Sequence, residues 1–195
     1  MSAIEPVGDG AWRVPLPDGC DLVAALDALR ATPGVTDAVV TETHALVCFD
    51  PRSPPALLPA LEGVQRDARG VVTHVIGVCY DGPDLGDVAA RTGRTIDAVI
   101  ALHTGGVYEV VHMGFLPGFA YVGPLDPILV LPRRDQPRPR VPALSVAIAG
   151  ARTGVYPFAS PGGWRLLGRA VDFVPFDPAR GARWRPGDHV RFEAR

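Results

Sequence analysis

Residues 114–169 constrain this chain more than any other stretch. They run from Gly114-Phe115-Leu116-Pro117-Gly118-Phe119-Ala120-Tyr121 through Pro132-Arg133-Arg134 to Ser160-Pro161-Gly162-Gly163-Trp164 and Gly168-Arg169. Proline fixes φ and glycine admits positive φ, so a segment that alternates them with Tyr, Trp and Arg builds rigid loops that hold polar groups in set positions. Apolar runs, Ile128-Leu129-Val130-Leu131 and Val146-Ala147-Ile148-Ala149, are threaded between the turns. A disordered linker would lack them. The pattern is that of short strands joined by tight loops, and with strands expected near 107–113, 146–149, 165–174 and 189–192 it predicts a β-barrel over 81–195.

The first 80 residues have a different period. A strand is expected at 11–16, a helix at 21–30 with Leu22, Leu26 and Leu29 on one face, strands at 35–40 and 44–49, a helix within 55–68 and a strand at 73–80. The order βαββαβ is the ferredoxin-like, split-βαβ arrangement. Tyr80-Asp81-Gly82-Pro83 breaks the pattern, so domains of 1–80 and 81–195 are expected, an α+β chain overall. Two short helices follow the break, at 84–91 and after a Thr95 cap with Ile96, Val99 and Ile100 inward.

Composition excludes several chemistries. Every one of the 19 basic residues is arginine. The chain therefore has no P-loop lysine, no Schiff-base lysine and no lysine to carry biotin. A net charge of −2 argues against a general nucleic-acid binder. No run is long enough for a membrane span and the N-terminus shows no basic, apolar leader, so a cytoplasmic protein is expected. Cys20, Cys48 and Cys79 are an odd, scattered set that suggests neither a disulfide framework nor a zinc site.

Candidate polar groups lie mostly in the proline-rich stretch. Arg133, Arg134, Arg138 and Arg140 alternate with Pro132, Pro137, Pro139 and Pro142. Prolines stiffen such a loop and lower the entropy lost when guanidinium groups are fixed on a carboxylate or phosphate. Gly162-Gly163 either lets a ligand approach backbone N–H groups or makes a tight turn before Trp164. Ser160 reads first as a turn stabiliser, since neither it nor Ser145 sits in a nucleophile elbow. His112, two residues before Gly114, lies on the rim of any site these loops make. His44 and His74 read as hydrogen-bonded structural residues, and His103 as a cation at a helix C-terminus.

An ordered set of motifs spans most of the chain: Tyr80 with Gly82-Pro83-Asp84-Leu85, Leu102-His103, Gly114-Phe115-x-Pro117-Gly118-Phe119-x-Tyr121, Pro132-Arg133, Arg140-Val141-Pro142, Ser145-Val146-Ala147-Ile148-Ala149-Gly150, Thr153-Gly154-x-Tyr156-Pro157, Ser160-Pro161-Gly162-Gly163-Trp164 and Pro186-Gly187-Asp188. It resembles the family of bacterial 5-oxoprolinase B subunits, also labelled allophanate hydrolase subunit 1 or Kip-type kinase inhibitor, and the matching half (subdomains C and D) of the urea amidolyase carboxyltransferase domain. The resemblance implies a cyclophilin-like barrel after a small α/β domain. It also implies a B subunit, inactive alone, that works with a C subunit (similar to allophanate hydrolase subunit 2) and an A subunit to convert 5-oxo-L-proline to L-glutamate with ATP hydrolysis. ATP would then be bound by the partner or at the shared interface. Two other roles carried by the resemblance are a non-enzymatic inhibitor of a sensor histidine kinase and half of a biotin-dependent carboxyltransferase.

On this reading Tyr121, Arg133, Arg140, Thr153 and Tyr156 line the catalytic face, with Arg134, Arg152, Ser160, Gly162, Gly163 and His112 as the substrate- or anion-binding set; no metal site is implied. Two positions depart from the family's pattern. Leu144 stands where glycine is usual, and its side chain is expected to narrow the site. Arg152 replaces a glutamine, exchanging a neutral donor and acceptor for a donor-only cation.

Overall fold

The computed structural model describes residues 4–63 and 70–195, which divide after Gly70 into two units. The first contains β1 (Glu5–Pro6), β2 (Ala11–Pro15), α1 (Leu22–Arg30), β3 (Val35–Val40) and β4 (His44–Phe49). The Asp21 carboxylate caps α1, accepting the Val23 and Ala24 N–H groups at 3.0 and 3.1 Å. Leu29 and Ala25 then pack against Ala38, Val40, Ala45 and Val47, alternate residues of the two strands, to form this unit's core.

The sheet runs β1-β2-β4-β3, antiparallel throughout. The first four elements of the expected βαββαβ order are present. The last two differ. Residues 55–63 form no helix, and 64–68 lie outside the described residues. The strand expected at 73–80 is β5 (Thr73–Cys79), and it belongs to the second unit. The edge beside β2, where a split-βαβ fold would place its last strand, is taken by β1. Alternation marks a segment as a strand without naming its neighbour, and β5 gains more in the barrel, where two strands flank it and Ile76 and Val78 are fully buried.

After β5 the second unit continues with α2 (Leu85–Thr92), α3 (Ile96–Thr104), β6 (Tyr108–Met113), β7 (Ala120–Gly123), a 3-10 turn (Pro127–Leu129), β8 (Arg138–Val141), β9 (Ser145–Ala149), β10 (Arg152–Val155), β11 (Ser160–Gly162), β12 (Arg165–Ala170), β13 (Phe176–Asp177), β14 (Gly181–Ala182) and β15 (His189–Ala194). Seven strands close a barrel in the order β10-β7-β6-β15-β5-β12-β9, consistent with the cyclophilin-like barrel expected. Closure needs the parallel pair β5–β15, in register from His189 opposite Thr73 to Ala194 opposite Val78. Two ribbons, β8–β11 and β13–β14, stand apart from it.

Residues from all seven strands meet in one interior cluster with Leu85, Val88 and Val99 of the two helices. Thr95 caps α3 as expected, but Ile96 is exposed; Val99 and His103 are buried and Ile100 packs against the interior cluster. Trp184, fully buried, donates its indole N–H to the Gly118 carbonyl at 2.8 Å and ties the 114–119 loop to the barrel. His74 meets Asp188 at 3.1 Å, the structural role expected of it.

Candidate functional site

Alternation along the barrel strands sends side chains to two faces. Val146 and Ile148 of β9, Val155 of β10 and Ala120 and Val122 of β7 lie in the interior cluster. Ala147, Ala149, Tyr156, Phe119, Trp164 and Leu166 form a second cluster on the outer face, with Tyr121 against it and Val141 contributed by the β8–β11 ribbon. The outer cluster is an aromatic cradle. Phe119 makes edge-to-face contacts with Tyr121, Tyr156 and Trp164 at 5.2, 5.3 and 5.3 Å, and His112 stacks on Tyr121 at 4.2 Å with the rings 21° apart. A β-bulge between Val110 and His112 turns His112 to Tyr121's side.

Tyr156 is the polar centre of this face. Its side chain is buried, which raises the phenol pKa; the Trp164 backbone N–H and the Arg133 and Arg138 guanidinium groups oppose that rise, and Tyr121 adds to it. Gly162 makes room for it, since a β-carbon there would overlap the phenol oxygen. Burial lowers the His112 pKa and keeps the imidazole neutral. Three buried side-chain atoms among the described residues lack a hydrogen-bond partner: His112 Nδ1, Arg134 Nε and Arg138 Nη1. Unpaired buried polar atoms of this kind suit a site that completes its bonds with a ligand.

The arginine loop is held by an acid that sequence alone places only at a helix start. Asp84 Oδ1 accepts from Arg134 and Arg138, both at 2.7 Å, while Oδ2 accepts the Leu166 N–H at 2.7 Å. Burial would raise the Asp84 pKa, but the bonds from Arg138 and Leu166 and the charges of both arginines outweigh it, and the carboxyl titrates below its usual range. Beside it, Arg165 bonds Asp87 and donates to the Pro132 carbonyl at 3.1 Å. These groups border a depression of about 440 Å³ lined by Pro83, Asp84, Asp87, Arg134 and Arg165 among others.

Of the expected residues, the structure brings together Tyr121, Tyr156, His112 and Gly162, with Arg133 exposed beside Tyr156. Arg134 is engaged by Asp84 and also donates its backbone N–H to the Gly163 carbonyl at 2.7 Å, which ties the arginine loop to the end of β11. Ser160 opens strand β11, opposite Val141, rather than a turn, and its Oγ donates to the Pro161 carbonyl at 3.2 Å. Arg140 is exposed on β8. Arg152 is half-buried over Gly123, its pKa lowered by burial. Leu144 does not narrow the face: it packs against the interior cluster, and its φ of 63° explains why glycine suits that position.

Thr153 points the other way, into the barrel, fully buried. Its hydroxyl donates to the Ala147 carbonyl at 3.1 Å, so at the 2.9 Å contact with His103 Nε2 it accepts. His103 therefore carries its proton on Nε2, and Nδ1 accepts from the Tyr80 hydroxyl at 2.6 Å. Nothing here needs a cation, and complete burial pushes the His103 pKa down to about 3. The helix-terminal cation expected from sequence is thus a neutral link in a buried chain; only the spatial neighbours Tyr80 and Thr153 could have revealed it. The unfolded chain binds this proton near pH 6.5 and the folded protein only near pH 3, so stability falls as pH drops through that window. From about pH 7.5 to about pH 5 the expected loss is about 2 kcal/mol. Urea midpoints across that range check it, and His103→Gln should flatten the profile.

Among the described residues no group of acids, histidines and cysteines could hold a metal ion, and no helix is long and apolar enough to cross a membrane. Comparison with known proteins matches residues 2–183 to the carboxyltransferase domain, subdomain C and D. The chain is 42% identical to the 5-oxoprolinase B subunit of Escherichia coli O157:H7, over 82% of this chain and 78% of the relative. It is 35% identical to the 5-oxoprolinase B subunit of Bacillus subtilis (strain 168), over 97% and 91%. It superposes on the solved structure of TTHA0988 with a TM-score of 0.82 at 39% identity over 95% of its length, and spans 40% of that longer chain.

Proposed function

Because the chain belongs to the family of carboxyltransferase-domain subdomains C and D, we propose that it is the B subunit of a cytoplasmic 5-oxoprolinase that opens the lactam of 5-oxo-L-proline to L-glutamate with ATP hydrolysis. The observation that carries this reading is its likeness, over most of both chains, to relatives named as the B subunit of 5-oxoprolinase. The outer barrel face agrees with it. An apolar aromatic floor with a few converging donors is what a small ring bearing a carboxylate requires. Tyr121, Tyr156 and His112 form that floor, and Arg133 and Arg138 supply positive charge at its edge.

In this assignment the guanidinium groups orient the substrate carboxylate or stabilise a transferred phosphoryl group, where preorganised charge counts most. Tyr156, raised by burial and opposed by two arginines, stays protonated near neutral pH and donates a hydrogen bond. ATP is a consumed co-substrate. A chain without lysine has no P-loop for it, so we place the nucleotide with the partner or at the shared interface. Partners of the C and A types complete the assembly, and the isolated chain is expected to be inactive.

The test is co-purification with a homologous C subunit, followed by a glutamate-release assay with the A subunit, ATP and 5-oxo-L-proline. Turnover that needs all three subunits and ATP is the expected result. A stable complex with no turnover would count against the assignment.

A further inference from the structure

We propose that Phe115 is the substrate-contacting residue that selects for a flat, ring-shaped acid on the outer face, stacking on the lactam while Arg133, Arg138 and the Tyr156 hydroxyl take its polar groups; this rests on the function proposed above. Phe115 sits at φ 71°, in the left-handed region that a bulky side chain adopts only under constraint. It is also 57% exposed. Glycine would remove the backbone strain, and a polar residue would remove the exposed apolar surface; the chain has neither. Strain of this kind persists where the surroundings impose it, and it collects at ligand sites.

The surroundings do impose it. The Gly114 N–H donates to the Phe119 carbonyl at 3.2 Å, the Leu116 N–H to the Gly114 carbonyl at 2.9 Å and the Phe119 N–H to the Leu116 carbonyl at 2.9 Å. Pro117 stiffens the loop, and Gly118, at φ 79°, lets it pass so close to Phe176 that a β-carbon would come within 2.6 Å. Trp184 clamps the Gly118 carbonyl from inside the barrel. A loop fixed at this many points holds the ring where it is.

That place is the candidate site. Phe115 stands perpendicular to Phe119 and Tyr156, at 5.4 and 6.2 Å, two rings of the aromatic cradle of which the second carries its central hydroxyl. An accessible ring beside a buried phenol, with the Arg133 and Arg138 charges acting on that phenol, offers an apolar wall and a polar end. A small planar amide ring bearing one carboxylate has the complementary shape and charge.

The experiment compares Phe115→Gly, Phe115→Tyr and the unchanged protein, each assembled with its partner subunits and assayed on 5-oxo-L-proline. Phe115→Gly should raise KM about tenfold with kcat changed less than about threefold, the sign of lost ground-state and transition-state contact alike. Phe115→Tyr, which keeps the flat ring, should restore KM to within about threefold. The thermal midpoint of Phe115→Gly should stay within about 3 °C, since an exposed ring contributes little to stability. An unchanged KM in a working complex overturns the inference alone. Loss of co-elution with the partner marks Phe115 as a protein anchor, and a large fall in midpoint marks it as structural; both overturn it. A wild-type complex with no turnover overturns the proposed function and this inference with it.

Discussion

Replacing Asp84 by alanine is expected to destabilise the protein by about 3 kcal/mol, and to lower its melting temperature by about 10 °C. One buried carboxylate here holds two guanidinium groups through Oδ1 and a backbone N–H through Oδ2. Removing it leaves Arg134 and Arg138 facing each other with no counter-charge, each already carrying one unpaired buried nitrogen. Breaking a buried pair from one side costs far more than the pair contributes, because the remaining charge stays buried. The arginine side chains keep 34% and 22% exposure, so water relieves part of the penalty and the low end of the range applies. Asp84→Asn keeps an acceptor oxygen and should lose about half as much. Urea denaturation distinguishes the two; equal, small losses in both variants would show that the arginines relax into solvent. The carboxyl titrates below its ordinary value, so its contribution is complete above about pH 4 and disappears only as pH falls through the lower folded value.

Gly168→Ala should be worse tolerated still, at a cost of at least about 3 kcal/mol, with most of the protein in the insoluble fraction on expression. A β-carbon at Gly168 would overlap the Cys79 carbonyl and crowd the Tyr80 backbone. These are main-chain atoms of the segment leaving β5, and unlike the end of a flexible side chain they cannot swing aside. Gly82 stands in the reciprocal position, where a β-carbon would strike the backbone of Leu166, Leu167 and Gly168. The two glycines let the chain cross β12 closely enough for the Gly82 N–H to reach the Leu167 carbonyl at 3.0 Å and the Asp84 N–H to reach the Leu166 carbonyl at 3.2 Å. That crossing delivers the Asp84 carboxylate to the arginine loop. Gly86, in α2 with open space around it, is the control: alanine there should stabilise by about 0.5–1 kcal/mol. Soluble yield and urea midpoints of the two variants decide the matter, and a Gly168→Ala protein as stable as the Gly86→Ala protein would refute the steric account.

The glycines of Gly82-Pro83-Asp84-Leu85 and Gly168-Arg169 are visible in the sequence as a pattern, but their purpose is not. The same holds for the aromatic residues. Gly114 to Tyr121 and Ser160 to Trp164 announce rigid loops, and alternation in β9 separates Ala147 from Ile148, but no strand is expected from sequence at Ala120–Gly123 or Arg152–Val155, so the sides taken by Tyr121 and Thr153 are not legible there. Thr153, inside β10, and Tyr156, just beyond its end, part to opposite faces only in the structure. The motif nonetheless groups them, because a motif places residues in order and says nothing of the side of a wall.

The strands expected at 11–16, 35–40, 44–49, 73–80 and 146–149, the cap at Thr95, the absence of lysine chemistry and the family motifs are local properties, set by residues within a few positions of one another, and the amino-acid sequence determined them alone. The pairing of β5 with β15, beginning with His189 opposite Thr73, the clamp of Asp84 on arginines 50 and 54 positions away, and the neutral state of His103 between Tyr80 and Thr153 depend on distances that exist only after the barrel has closed. Burial and Coulomb energy follow separation in space, not in sequence, so the tertiary structure alone decided which charges are paired and which side of the barrel carries the site.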